Sequence, residues 1–303
     1  MPYPAFYHPT KVGQLYTPDT TAAVQAGTAL NIANADTDTK KTVLLLIDEQ
    51  VDFIHEDGAL SVPGAVDDTK RIIEWIFDNV GDITHIIASL DSHVPIQIFS
   101  PAWWVDRNGQ PPSPFTLIPS EDVASGKWQP LYEMEWSKEY VKRLEEDAKK
   151  QLMIWSYHTL IGTPGHSITP ALYEAITYHA AARQTQAQLV IKGKIPKTEH
   201  YSIFEPEVKP EELEHGGINT QLLEQIAGYD TIYVTGQAKS HCVLESVTSM
   251  MRYFADRPEV IDKIHVIQDA MSSVVSPDVD FDSLADNAYA EFVKRGLHMT
   301  STK

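Results

Sequence analysis

The sequence predicts an α/β fold: a doubly wound, three-layer α/β/α sandwich built on a parallel sheet. Three observations predict it. Short, continuous apolar runs recur at Val43 to Ile47, Ile83 to Leu90, Leu189 to Ile191, Ile232 to Val234 and Ile264 to Ile267. Strands covered on both faces read this way, because neither face alternates with water. Amphipathic stretches lie between the runs, at Asp67 to Asn79, Ile168 to Arg183, Gln221 to Ala227, His241 to Phe254 and Phe281 to Arg295. Strand and helix in alternation imply parallel pairing with helices on both sides. Finally, polar residues that carry chemistry follow the apolar runs directly, and in such folds ligands bind at the carboxyl ends of the strands.

Taken in order, residues 1 to about 40 are rich in Pro, Thr, Asp and Ala without sustained periodicity, and are expected to form an arm on the body or on a partner subunit. The main domain is expected from 41 to 303. Its rhythm is interrupted at about 101–150 by a Pro-rich and Trp-rich half, with Trp103, Trp104, Trp128 and Trp136, followed by a charged helix expected over Lys138 to Gln151. That length exceeds a simple connection, so an insertion that caps the site or makes a subunit contact is expected. There is no internal repeat and no low-complexity tract.

Composition bounds the function. With 303 residues, 43% hydrophobic and 22% charged, the chain has the make-up of one large soluble core. A formal charge of −18 argues against a nucleic-acid or anionic membrane surface, either of which needs a basic face. One cysteine allows no intrachain disulfide and fits a reducing compartment. The stretch Met1 to Phe6 lacks the basic region and long apolar segment of a signal peptide, and no apolar run has membrane-spanning length. A cytoplasmic location is expected.

That single cysteine, Cys242, lies in Val234-Thr235-Gly236-Gln237-Ala238-Lys239-Ser240-His241-Cys242-Val243, where an apolar run breaks into a small-residue turn and re-enters a helical pattern. A strand–turn–helix of this kind presents a side chain at the sheet edge. Unpaired N–H groups of a first helical turn favour a thiolate, so a lowered thiol pKa is expected. A cysteine nucleophile needs a proton acceptor and gains from a nearby cation. Asp48 directly follows Val43 to Ile47, and Lys192 directly follows Leu189 to Ile191, so both are expected at the same edge. Asp91-Ser92-His93 ends another run, and His158 follows Leu152 to Trp155, a set of residue types that suits a metal ion. Singly, each has a plain reading: a buried small hydrophobe, a turn cap, an exposed lysine, a hydrogen-bonded loop pair.

Together, and in this order, the segments resemble the nicotinamidase and isochorismatase-like cysteine hydrolases. The resemblance is carried by Asp48-Glu49-Gln50-Val51-Asp52-Phe53, Gly58 to Ala65, Asp91-Ser92-His93, Trp155 to Gly165, Lys192-Gly193 with Tyr201-Ser202-Ile203-Phe204, and Gly236 to Val243. It spans about Val43 to Ala270 without the Trp-rich insertion. It implies a six-stranded parallel sheet of order 3-2-1-4-5-6. It also implies a catalytic triad of Asp48, Lys192 and Cys242, with oxyanion donors from the Ala238 and Cys242 backbone and a cis Gln237–Ala238 bond. The implied cofactor is a divalent ion, zinc or else iron or manganese, on Asp91, His93 and His158, and the implied substrate contacts are Phe53, Trp155 and Tyr201. The activity implied is hydrolysis of nicotinamide or a related heteroaromatic amide through a thioester, by a homo-oligomer. An N-carbamoyl or ureido acid amidohydrolase, or a ligand-binding relative without turnover, are the alternatives. The chain departs from the pattern at Gln97, where many relatives carry a second histidine, at Thr159, which replaces a residue that is often cysteine, and in its arm and insertion.

Overall fold

Each apolar run becomes a strand of one sheet in the computed structural model, which describes residues 3–146, 150–212, 217–276 and 279–303. The strands are β1 (Thr42–Ile47), β2 (His85–Asp91), β3 (Gln188–Lys192), β4 (Thr231–Gly236) and β5 (Ile264–Ile267). A sixth, β6 (His298–Thr300), lies beyond the runs located from the pattern. It is a three-residue edge strand, partly exposed along its length, so it carries no double-sided apolar signature. All pairings are parallel, in the spatial order β6-β5-β4-β1-β2-β3. That is the order implied by the motif resemblance.

Alternation along β1 divides the core. Val43, Leu45 and Ile47 pack with Leu222, Val247 and Tyr289, while Leu44 and Leu46 pack with Ile72, Ile76, Leu172 and Ile176. Successive side chains of a strand point to opposite faces, so a run of five apolar residues feeds two cores at once. One face is covered by the helices Thr220–Ala227, Leu244–Tyr253 and Phe281–Lys294, the other by Ala65–Asp78 and Pro170–Arg183. Register matters most at the carboxyl edge. Ile47 lies opposite Gly236, and Asp91 lies opposite Lys192, so the residues that end β1, β2, β3 and β4 emerge together.

Two segments differ from the expected pattern. The arm contains a helix, Thr20–Ala29, capped by Asp19, whose side chain accepts from the Ala22 N–H at 2.9 Å. Only Ala23 and Gly27 of this helix are buried. A Cβ at Gly27 would stand 2.3 Å from the Tyr178 carbonyl oxygen, so the helix docks on Pro170–Arg183 by close backbone approach. Such docking needs no apolar stripe, which is why periodicity missed it. In the insertion, the charged helix begins at Met134, a turn before Lys138, and runs to Glu146. Residues 147–149 of the expected stretch lie outside the described residues.

The insertion has its own core. Trp103, Trp104, Ile118, Tyr140 and Leu144 pack with Leu152, Ile154 and Trp155. Both buried indoles are satisfied, Trp103 Nε1 donating to Ser137 Oγ at 2.9 Å and Trp104 Nε1 to the Ile98 carbonyl at 2.6 Å. The segment that leads to His158 is therefore clamped against the insertion. Among the described residues no helix is long and apolar enough to cross a membrane.

Candidate active site

The carboxyl edge of the sheet carries a buried polar cluster centred on the Lys192 ammonium. Its Nζ lies 2.9 Å from Asp48 Oδ2, 2.8 Å from Asp91 Oδ1 and 3.6 Å from Cys242 Sγ, and it donates to the His200 carbonyl at 2.8 Å. β3 delivers the lysine, β1 and β2 deliver the two carboxylates, and the turn after β4 delivers the thiol. Asp48 is fixed by Ser89 of β2, whose hydroxyl accepts from the Asp48 N–H at 2.9 Å and donates to Oδ1 at 2.6 Å. Asp48 adopts a left-handed φ of 49°, which turns its carboxylate out of the strand line toward the lysine.

The electrostatics follow from burial and pairing. Lys192, Asp48 and Asp91 are all at most 3% exposed, so each charge must be matched within the cluster. Burial alone would pull the lysine down, but Asp48 and Asp91 beside it hold its pKa well above the ordinary value. For Asp91, burial is outweighed by the neighbouring His93 and Lys192, which keep it well below the usual carboxylate range. Asp48 is pushed up, by burial first and by the Asp91 charge, against the pull of Lys192.

The thiol corrects an expectation. A lowered pKa was expected of Cys242 from its place before a helix, yet burial pushes it well above its ordinary value despite Lys192. The sulfur is sealed in, only 6% of the residue being exposed, and the Asp48 and Asp91 carboxylates oppose a further negative charge. Nor does Cys242 open an α-helical turn: it lies inside a wide π-type turn, Lys239–Val243, that precedes Leu244–Tyr253. Wide turns of this kind recur at functional sites. At rest the group is therefore a thiol, its sulfur accepting from Lys192 Nζ. The Gln237–Ala238 bond before this turn is cis.

Asp91, His93 and His158 form a buried group able to hold a metal ion, their ligand atoms all within 4.8 Å of one another. Asp91 Oδ2 lies 2.7 Å from His93 Nε2 and 3.6 Å from His158 Nε2. Each imidazole Nδ1 faces a carbonyl, that of Gly193 at 3.2 Å and that of Ser156 at 2.7 Å. A carbonyl only accepts, so both Nδ1 atoms carry a proton and each Nε2 is the atom turned toward Asp91. Burial holds His93 below its ordinary pKa, in the neutral form. Its Nε2 is buried without a hydrogen-bond partner, facing a carboxylate oxygen. Acceptors converging on one point call for a cation, and backbone carbonyls orienting the second ring nitrogen are the usual support for histidine ligands.

Gln97 does not join the group. Its Nε2 donates to the same Gly193 carbonyl at 2.7 Å, so it braces the backbone that orients His93. Gly193 itself has a φ of 82°, and a Cβ there would stand 2.7 Å from Asp91 Oδ1 and 2.8 Å from the His93 ring. Thr159 likewise serves the backbone, its N–H donating to Asp52 Oδ2 at 2.7 Å.

A small cavity of about 30 Å³ covers Cys242, lined by Phe53, Trp155, Tyr201, Ala238 and His158 among others. Trp155 Nε1 donates to Glu199 Oε2 at 3.2 Å and to the Tyr201 hydroxyl at 3.1 Å. Two of the polar lining residues, Glu199 and His241, were not singled out from the sequence. Glu199 sits in a loop without periodicity, where burial and the nearby Asp91 and Glu207 charges raise its carboxyl well above the usual range. Its N–H donates to the Tyr140 hydroxyl of the insertion at 3.0 Å, a contact with no sequence signal. His241 precedes Cys242, and that adjacency alone was available to mark it.

No family model matches the sequence, and no curated protein matches it. Solved structures do match by fold. An Acinetobacter baumanii nicotinamidase/pyrazinamidase superposes with a TM-score of 0.57 at 19% identity, covering 88% of this chain and 98% of its own. The yeast nicotinamidase Pnc1p bound to the inhibitor nicotinaldehyde gives 0.58 at 15%, covering 86% and 99%. A Pyrococcus horikoshii pyrazinamidase in complex with zinc gives 0.51 at 18%, covering 86% and 99%. At such identities the likeness is one of fold, and the matching structures are of the group that the sequence motifs resemble.

Proposed function

We propose that this chain is a metal-assisted cysteine amidohydrolase acting on a heteroaromatic carboxamide, with nicotinamide as the reference substrate. The observation that carries the reading is the single lysine ammonium in contact with Asp48, Asp91 and Cys242 together. A triad and a metal group joined through one shared carboxylate suit an amide held at one end and attacked at the other.

In this mechanism Asp48 takes the Cys242 proton as the thiol sulfur attacks the amide carbon, and Lys192 offsets the negative charge passing between them. The raised pKa of Asp48 favours its acting as acceptor and then donor. The Ala238 and Cys242 N–H groups receive the oxyanion. The C–N bond then breaks, Asp48 returns the proton to the leaving nitrogen, and ammonia departs, leaving a thioester. Water, deprotonated by Asp48, attacks the thioester, releasing the acid and restoring the thiol. Two imidazoles and a carboxylate suit zinc, with iron or manganese also accommodated by that donor set. Such an ion supplies a Lewis-acid anchor for a ring nitrogen, while Phe53 and Trp155 flank the ring and Tyr201 closes its edge.

Charge favours this over the N-carbamoyl or ureido acid reading. A substrate with its own carboxylate needs an unpaired cation to receive it. Among the described residues lining this cavity and the larger one beside it, Lys150 is the one lysine or arginine, and it is paired with Glu207 at 2.7 Å and Glu245 at 2.6 Å.

The test is ammonia release from nicotinamide by purified protein, with and without a chelator, with Cys242→Ala as control. Release that requires both thiol and metal is expected. Faster release from N-carbamoyl amino acids than from nicotinamide would overturn the substrate assignment.

A further inference from the structure

Beside the small cavity over Cys242 lies a second chamber of about 560 Å³. The contrast in size is informative, since about 30 Å³ accommodates a water or two whereas small-molecule sites run to about 300–1,000 Å³. Trp155, Glu199, Tyr201 and His241 line both spaces, so the partition is one side chain thick. Its rings meet edge to face, His241 lying 5.4 Å from Trp155 and 5.4 Å from Tyr201 between centroids.

These partition members are held unequally. Trp155, Glu199 and Tyr201 are joined by the two indole hydrogen bonds. Among the described residues His241 has a side-chain hydrogen bond only with its neighbour Ser240, at 2.9 Å, and otherwise rests edge-on against Phe281 at 4.8 Å. It is also the residue next to Cys242, and its ring stands between the two spaces that it lines. Beyond it the chamber is walled by Leu117, Leu144, Leu152, Leu244, Phe281 and Leu284. Among the described residues its one lysine or arginine, Lys150, is paired with Glu207 and Glu245, so no cation is left free for an anionic ligand and the rest of the wall is largely apolar.

We propose that this chamber is a substrate subsite: the molecule turned over places its primary amide at Cys242 and an uncharged aryl or alkyl extension between Leu117, Leu144, Leu244 and Phe281, with His241 turning aside to join the two spaces. The inference rests on the amidohydrolase reading and adds the class of substrate to it. Even with His241 turned aside to admit its ring, an amide the size of nicotinamide fills only a small part of a chamber of about 560 Å³.

The experiment compares nicotinamide with pyridine-3-carboxamides bearing a phenyl or hexyl substituent on the ring. Dissociation constants are measured on metal-loaded Cys242→Ala protein, which holds substrate without turnover. The extended amides are expected to bind about tenfold or more tighter than nicotinamide. In the same background Leu244→Trp, and separately Leu284→Trp at the half-exposed rim, are expected to abolish that gain while changing nicotinamide affinity less than about twofold. Equal affinities, or a gain that survives both tryptophans, overturn the proposal. Ammonia release by the wild-type protein separates the two readings. Release from nicotinamide with no gain from the extension sinks the subsite and keeps the amidohydrolase; tighter, chamber-dependent binding with no release from any amide does the reverse.

Discussion

The floor and the roof of the site are built by different means. On the floor, Asp48, Asp91 and Lys192 sit at strand ends aligned by register, and Cys242 lies in the turn that follows β4. The roof, made of Phe53, Trp155, Glu199, Tyr201 and His241, comes from loops, a short turn and the segment clamped by the insertion. The floor is charged and buried, two carboxylates around one ammonium, while the roof is largely aromatic. On the proposed amidohydrolase reading, the sheet would fix which bond is attacked, and the connecting chain which molecule presents it.

The sharpest way to break that division is Lys192→Met. It should lower turnover by about 10⁴-fold or more, because members of a catalytic unit fail together. It should also cost stability, about 3–5 kcal/mol, since Asp48 and Asp91 are left buried with no counter-charge. Ammonia release and chemical denaturation read the two effects. Turnover near that of the wild type would remove the lysine from the floor. Next in size is Trp104→Ala in the insertion, with an expected loss of about 3–5 kcal/mol from an almost fully buried indole. Here the loss should fall on the unfolding free energy and on substrate affinity, with the catalytic step on bound substrate retained. A mutant that loses the catalytic step as severely as Lys192→Met would show the floor to depend on the roof.

The same division explains what the sequence makes legible. Asp48 and Lys192 could be placed because an apolar run ending in a polar residue is a local signal, and the parallel sheet converts local signals into one shared edge. Residues of the roof meet through contacts distant in sequence, such as Glu199 with Tyr140 and Trp155, and no period marks them. The arm helix was missed for a related reason: Ala23 and Gly27 bury little apolar surface, and the close approach of two backbones leaves no pattern in hydrophobicity. The raised thiol pKa was out of reach too, since it depends on how completely the roof excludes water.

Glu49 tests whether water exclusion extends behind the floor. It follows Asp48, accepts from the Thr69 hydroxyl at 2.9 Å, and is pushed by burial from 4.5 up to about 8. The folded protein therefore holds a proton that the unfolded chain releases above about pH 4.5. That contribution to stability is complete below the unfolded value and is lost as pH rises through about 8. Melting temperatures across this window should fall for the wild type and stay flatter for Glu49→Gln, a difference on the order of a few kcal/mol. Parallel curves for the two proteins would mean that water reaches Glu49.

His158 joins the two regions: it is carried by the roof segment that follows Trp155, yet its Nε2 faces Asp91 on the floor. Its ring is oriented by the Ser156 carbonyl, so its geometry depends on how that segment is clamped. His158→Ala should weaken metal binding and turnover by about 10- to 100-fold, with the smaller loss if Asp91 and His93 retain the ion with added water. Metal content after dialysis, and recovery of ammonia release on adding zinc, measure this directly. Recovery at high zinc would place the defect in affinity and leave the floor's chemistry intact. Unchanged metal binding and turnover would instead reduce the three residues to a hydrogen-bonded cluster, and the roof would then contribute only shape.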